Sequence, residues 1–264
     1  MIRRVGRASV NLSAAVGAGA IGVAREAGGI TLVLLRVLRA LLPPRFDARE
    51  LLRNLYKMGV ESVPIVVLTA FFTGGIMVIQ AGIFVERFNA RGIIGWAAGY
   101  ATLREVAPLL IGLMFNGRVG ANNTAELGTM VVTEQLDALR ALAIDPVRYL
   151  VVPRVVAMVI SIVCLVIMGD LVALLGAGLF SHLLLDVEYA TVFYGMKDQL
   201  HLEDFTHGLI KAVVFGLAIA LTSCHFGTSV KGGAIGVGRA VNNAVVAAAI
   251  SIMLLNFFMT YLMR

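Results

Sequence analysis

His201, Glu203, Asp204 and His207 are the densest group of side chains in this sequence that could hold a metal ion or exchange protons. Their spacing is not HExxH, the pattern that sets two histidines and a glutamate on one helical face around zinc. They also stand beside a long apolar run, where solvated charge is ordinary. An intramembrane enzyme would have its best constellation here, without a catalytic spacing to support it. The segment Gly227 to Gly238, GTSVKGGAIGVG, has the glycine content of a phosphate-cradling loop. No strand precedes it and GxGxxG is not met, so it reads as a tight turn between two helices. No Lys is followed by Ser or Thr, so the pattern GxxxxGK[ST] is absent as well. The chain is expected to be no enzyme, to hold no metal and to bind no cofactor directly; nucleic acid is not among the expected partners.

The elements around these residues explain why chemistry is scarce. Hydrophobic residues make up 59% of the 264 and charged residues only 14%, against roughly a quarter charged in ordinary soluble domains. A bilayer core needs about 20 apolar residues per helix and tolerates no unpaired backbone. Five runs meet that length, at about 62–85, 99–122, 149–182, 205–227 and 240–263. The fold class expected is an all-α integral membrane protein with five transmembrane helices. The 28 glycines suit helices that pack closely in lipid, and Gly95-x-x-x-Gly99 and Gly117-x-x-x-Ala121 match the small-residue spacing. Cys164 and Cys224 fall inside spans, where a thiol behaves as a small hydrophobe.

Charge gives an orientation. Residues 1–57 hold ten basic side chains against three acidic ones, which by the positive-inside rule puts the N-terminus in the cytoplasm and, after five spans, the C-terminus outside. The acidic segment 183–204 and the basic turn holding Lys231 and Arg239 agree. Within 1–57, Ile30 to Leu42 is apolar but too short to span, with Arg36 and Arg39 on one face, and Pro43 and Pro44 end it. It reads as an interfacial amphipathic helix; an ill-formed extra span over 12–42 is the alternative. A signal peptide in the first residues would lack a leucine core. The domain reading is a basic interfacial segment, 1–57, followed by a membrane domain, 58–264.

Charged and amide groups inside a span are costly in hydrocarbon. Arg104, Glu105, Asn116 and Arg118 in the second run must therefore face protein, water or an interface. Arg104 and Glu105, being adjacent, cannot share one α-helical face, and Arg104 either snorkels to headgroups or belongs to a transport path. Pro108 removes a backbone donor and should kink the helix. Between the second and third runs lies a polar stretch, residues 116–148. In it Thr133 to Leu142 reads as a short helix capped by Thr133, with Leu136, Leu139 and Ala143 at helical spacing and Glu134, Asp137 and Arg140 projecting elsewhere. Asp145-Pro146 then starts the third span. On pattern alone the short helix either lies on the membrane or docks a partner.

Four segments carry a resemblance: LREVAP (103–108), NGRVGANNTAELGTM (116–130), TEQLDALRALAIDPVRYLVVPR (133–154) and GVGRAVNNAVV (236–246). From about residue 50 onward the chain resembles the MlaE/YrbE permeases, membrane subunits of MCE-type ABC lipid transporters. The resemblance implies a homodimer of five-span subunits in the bacterial inner membrane, with an N-terminal interfacial helix. It implies a cytoplasmic ABC ATPase subunit through which ATP acts, an MCE-domain periplasmic protein, a STAS-domain protein, and membrane lipids, phospholipids foremost, as cargo in maintaining outer-membrane asymmetry. The short helix becomes a coupling helix, with Glu134, Gln135, Leu136, Asp137, Leu139 and Arg140 at the ATPase. Arg104 and Glu105 fall near a lipid cavity, whose apolar candidates in the first span are Phe71, Phe72, Met77 and Ile79. Asn122 and Asn123 depart from the small or apolar residues expected there: either they pair across helices or the span ends before them. An ion-coupled carrier is the remaining alternative, although no repeat between halves is visible.

Overall fold

The computed structural model describes residues 2–41, 48–88 and 94–263, and they form eleven α-helices with no strand among the described residues. They are α1 (Ile2–Leu41), α2 (Ala48–Met58), α3 (Val63–Phe88), α4 (Ile94–Ala101), α5 (Ala107–Phe115), α6 (Ala121–Val132), α7 (Gln135–Ala141), α8 (Val152–Leu185), α9 (Tyr189–Gln199), α10 (Leu202–Thr228) and α11 (Gly233–Leu262). Several run on into one another, and five rods, three of them composite, are long and apolar enough to cross a membrane: Ala48–Ile83, Ile94–Val132, Val147–Leu185, Leu202–Thr228 and Gly233–Leu262. Each begins before one of the five expected runs and covers it to within two residues of its end, because polar flanking turns continue the helix at its start.

Wide π-helical turns join the pieces at Thr102–Val106, Asn116–Gly120 and Val147–Val151. The first and third end two residues before Pro108 and Pro153. A proline inside a helix has no N–H for the carbonyl four residues earlier and its ring presses on that carbonyl, so the turn ahead of it widens.

The third rod is the centre of the bundle: 67% of its most apolar stretch is buried, against 11% for α11. The main core gathers Ile111 and Phe115 of α5, Met158 and Ile162 of α8, and Phe215 and Ile219 of α10. A smaller cluster of Val78, Ile94, Ala98, Ala177 and Val192 holds α9 against α3, α4 and α8. α3 and α8 approach backbone to backbone. A Cβ on Gly74 or Gly176 would collide with the carbonyls of Ala173 and Phe71, so only glycine lets these helices touch. Gly95 meets the Val192 carbonyl in the same way, while Gly117 faces open space.

α1 is longer than the expected amphipathic segment. Glycine at 29 lets the helix pass over the His225 ring, Val37 and Ala40 are buried, and Arg36 and Arg39 stay exposed. Pro43 and Pro44 lie outside the described residues. The glycine-rich segment 227–238 spans the turn from α10 to α11, where Gly232 and Gly233 take positive φ (89° and 69°). His201 and Asp204 serve structure: the His201 N–H donates to Asp204 Oδ2 (3.1 Å) in a capping box that opens α10.

Candidate functional site

α7 stands between two rods at one end of the bundle, called here the α7 end. Its boundaries differ from the sequence expectation. The Thr133 hydroxyl donates back to the Thr129 carbonyl (2.8 Å) and so closes α6 instead of capping α7. Glu134 occupies the N-cap position in the left-handed region (φ 58°), and the helix runs only from Gln135 to Ala141. At the other end Ala143, also left-handed (φ 59°), donates to the Arg140 carbonyl (3.0 Å), and Ile144 donates to that of Leu139 (3.0 Å). This is a Schellman closure, and it places Ala143 beyond the helix, off the stripe of Leu136 and Leu139. Asp145 then caps the next rod by accepting from the Val147 N–H (3.0 Å), as expected.

The faces of α7 divide clearly. Leu136 is the buried anchor at 6% exposure. Glu134, Gln135, Asp137 and Arg140 are exposed, Leu139 is half-buried, and Asp137 pairs with Arg140 on the surface (2.6 Å). Two cavities flank the helix. One, of about 680 Å³, lies toward α1 and is walled by Arg36, Arg39, Leu136, Arg148 and His225 among others. The other, of about 520 Å³, lies toward α2 and is walled by Lys57, Glu126, Gln135, Leu139 and Arg154 among others.

The floor of the second cavity is a polar network across four helices. Glu126 of α6 accepts from Lys57 of α2 and from Asn122 one turn earlier (3.3 Å), and forms an ion pair with Arg154 of α8 (3.6 Å). Arg154 also donates to Asn123 Oδ1 (3.4 Å), and Asn123 Nδ2 donates to Ser223 Oγ of α10 (2.9 Å). The two asparagines thus have different work. Asn123, 1% exposed, pairs across helices; Asn122 is on the surface, and the helix continues past both to Val132. Arg118 ties the same rod to the first, donating to Ser62 Oγ (2.6 Å) beside Glu61 (3.5 Å), and Asn116 Nδ2 reaches the Val245 carbonyl of α11 (2.9 Å).

A second network lies toward the opposite end, which carries α9. Lys211 of α10 is only 1% exposed. Its three ammonium donors meet three acceptors: Glu105 Oε1 (2.6 Å), Thr260 Oγ1 (2.9 Å) and the Arg104 carbonyl (3.0 Å). Arg104 stacks on Tyr100 and reaches the Met263 carbonyl (2.6 Å) and Asp204 Oδ1 (3.4 Å), while Glu105 also takes Thr260 and Asn256. Lys211 joins Arg104, through its backbone carbonyl, and Glu105, through its carboxylate, in one network although the two side chains project to different partners. A buried charge so matched avoids the cost of a lone ion.

The apolar candidates of the first span lie elsewhere. Phe71 and Phe72 stack on Phe180 of α8 (5.4 and 6.1 Å), Met77 packs into the cluster beside α9, and Ile79 is exposed. None of the four joins the Arg104 network. Sequence reasoning passed over Lys211, Glu126 and Arg154; an isolated charge within or at the mouth of an apolar run was the available signal.

Comparison with known proteins agrees with this architecture. The family model described as Permease MlaE matches residues 51–262. A probable ABC transporter permease protein of Rickettsia conorii is 37% identical over 252 residues, covering 96% of this chain and 97% of that protein. One from Synechocystis is 36% identical over 223 residues, 84% of this chain and 85% of that protein. The chloroplastic protein TRIGALACTOSYLDIACYLGLYCEROL 1 of Arabidopsis thaliana is 33% identical over 231 residues, 86% of this chain and 64% of that protein.

Proposed function

The chain belongs to the Permease MlaE family, and from that membership we propose that it is the membrane subunit of an ABC transporter that moves lipids, phospholipids foremost. In this reading its spans cross the bacterial inner membrane with the α7 end in the cytoplasm, the N-terminus inside and the C-terminus in the periplasm. A separate ATPase seats on α7 and supplies the energy. An MCE-domain protein on the α9 side exchanges lipid with the permease and so maintains outer-membrane asymmetry, and a STAS-domain protein completes the complex.

The observation that carries the reading is α7 itself. It is a short helix set between two left-handed residues, with its polar face outward and one buried leucine inward. Left-handed non-glycine residues cost energy and persist where the surroundings hold them. Behind it, the network of Glu126, Arg154 and Asn123 links α2, α6, α8 and α10, so a push on α7 reaches four helices. A second copy of the chain is proposed to cover α11, where Val246, Ile250, Met253 and Phe257 form an exposed apolar stripe at helical spacing. Lipid as cargo is supported by the Arabidopsis relative, whose name is that of a glycerolipid.

The test is reconstitution of the chain with a candidate ABC ATPase, in vesicles holding a fluorescent phospholipid and offered a candidate MCE protein. Transfer that requires ATP and the ATPase is expected. Transfer driven by an ion gradient without the ATPase would make the chain an ion-coupled carrier instead.

A further inference from the structure

The cavity between α1 and α7 differs in charge from its neighbour. Arg36 and Arg39 reach its rim from α1 and Arg148 from the start of the third rod, and none of the three makes an ion pair among the described residues. The acids nearby are engaged: Asp145 caps the Val147 N–H, Asp137 holds Arg140, and Glu26 holds His225 (2.8 Å). Beneath the arginines the wall turns apolar, with Val33, Leu127, Leu136 and Val151. Leu35 and Leu38, outside the cavity lining, are exposed on α1 beside the arginines, and Leu32 is exposed at the cavity itself, the composition of a helix lying at a bilayer surface.

We propose that this cavity binds an anionic phospholipid drawn from the leaflet on the α7 side. Its phosphate lies among Arg36, Arg39 and Arg148, and the upper part of its chains lies against the apolar wall. The volume of about 680 Å³ is that of a ligand pocket. Basic recesses between membrane helices suit anionic headgroups, each arginine adding attraction that a zwitterionic lipid does not receive. Since Leu136 of α7 and α1 share the wall, the bound lipid braces the short helix against α1 and makes its seating depend on the anionic lipid content. The site requires that the rods cross a bilayer and holds whether or not the chain exports lipid.

Native mass spectrometry of the detergent-purified full chain tests this. The probes are a phosphatidylglycerol, a phosphatidylcholine with the same chains, and inorganic phosphate. The wild type and the charge-matched control R25Q/R239Q are expected to retain one phosphatidylglycerol tightly. R36Q/R148Q is expected to retain it roughly thirtyfold more weakly and R39Q alone roughly fivefold more weakly. Phosphatidylcholine should bind all variants alike, and millimolar phosphate should not displace the lipid. Unfolding curves identify a misfolded double variant, in which case R39Q decides. Equal retention of phosphatidylglycerol in R36Q/R148Q or R39Q would overturn the proposal. Displacement by phosphate would make this a free-anion site.

Discussion

Lys211 Nζ donates to the Arg104 carbonyl at 3.0 Å, the same oxygen that Pro108, four residues further on, has no N–H to reach. A side chain from α10 thus replaces the backbone donor that proline removed. The wide turn at Thr102–Val106 is held by a neighbouring helix as well as by its own ladder.

This substitution of donors can be measured as a coupling. Lys211→Met leaves Glu105 without its cation and the Arg104 carbonyl without a donor, and should destabilise the chain by about 3 to 5 kcal/mol in detergent unfolding. In a Pro108→Ala background the carbonyl regains a backbone donor. The same Lys211 change should then cost about 1 kcal/mol less; strict additivity would show that the two donors do not share the oxygen.

The asparagine pair should separate in the same assay. Asn123→Leu removes the amide that donates to Ser223 and accepts from Arg154, an expected loss of about 1 to 3 kcal/mol. Asn122→Leu, on the surface, should change stability by no more than about 0.5 kcal/mol. Equal effects would mean that the bridge from α6 to α10 contributes little.

Asp170, in the middle of α8, is buried, and neither carboxylate oxygen has a hydrogen-bond donor among the described residues. An unsatisfied buried polar group costs about 1 to 3 kcal/mol, so Asp170→Val should raise the unfolding temperature. A lowered one would reveal a stabilising partner for the carboxyl.

The exposed stripe on α11 gives a test of the second copy. In a Cys164→Ala/Cys224→Ala background, Ile250→Cys should form a disulfide-linked dimer in membranes on mild oxidation. Leu175→Cys, more exposed than Ile250 but on α8, should remain monomeric. Cross-linking at both positions alike would reflect random collision.

The number of spans, the short helix between the second and third, and the Asp145 cap were legible because length, hydropathy and local capping are written in neighbouring residues. The partners were not. Asn123 with Ser223 and Arg104 with Asp204 each lie 100 positions apart, and periodicity within one helix says nothing of which helix lies beside it. Arg104 and Glu105 send their side chains to different partners, as adjacent positions should; what the sequence did not show is Lys211, which joins them by donating to the backbone carbonyl of one and the carboxylate of the other. Thr133 misled for a local reason, since its hydroxyl could serve either α6 or α7 and the helix already formed took it. Phe71 and Phe72 carried no sign of Phe180, which decides their packing.

The central claim is that the outward face of α7 receives the ATPase and transmits its motion. The most direct measurement is co-purification of the ATPase with Glu134→Lys/Asp137→Lys permease, with ATP-driven transfer of labelled phospholipid followed on the same preparation. The account expects both to fall at least tenfold while the unfolding temperature of the permease holds. Full ATPase binding and full transfer with both charges reversed would contradict it.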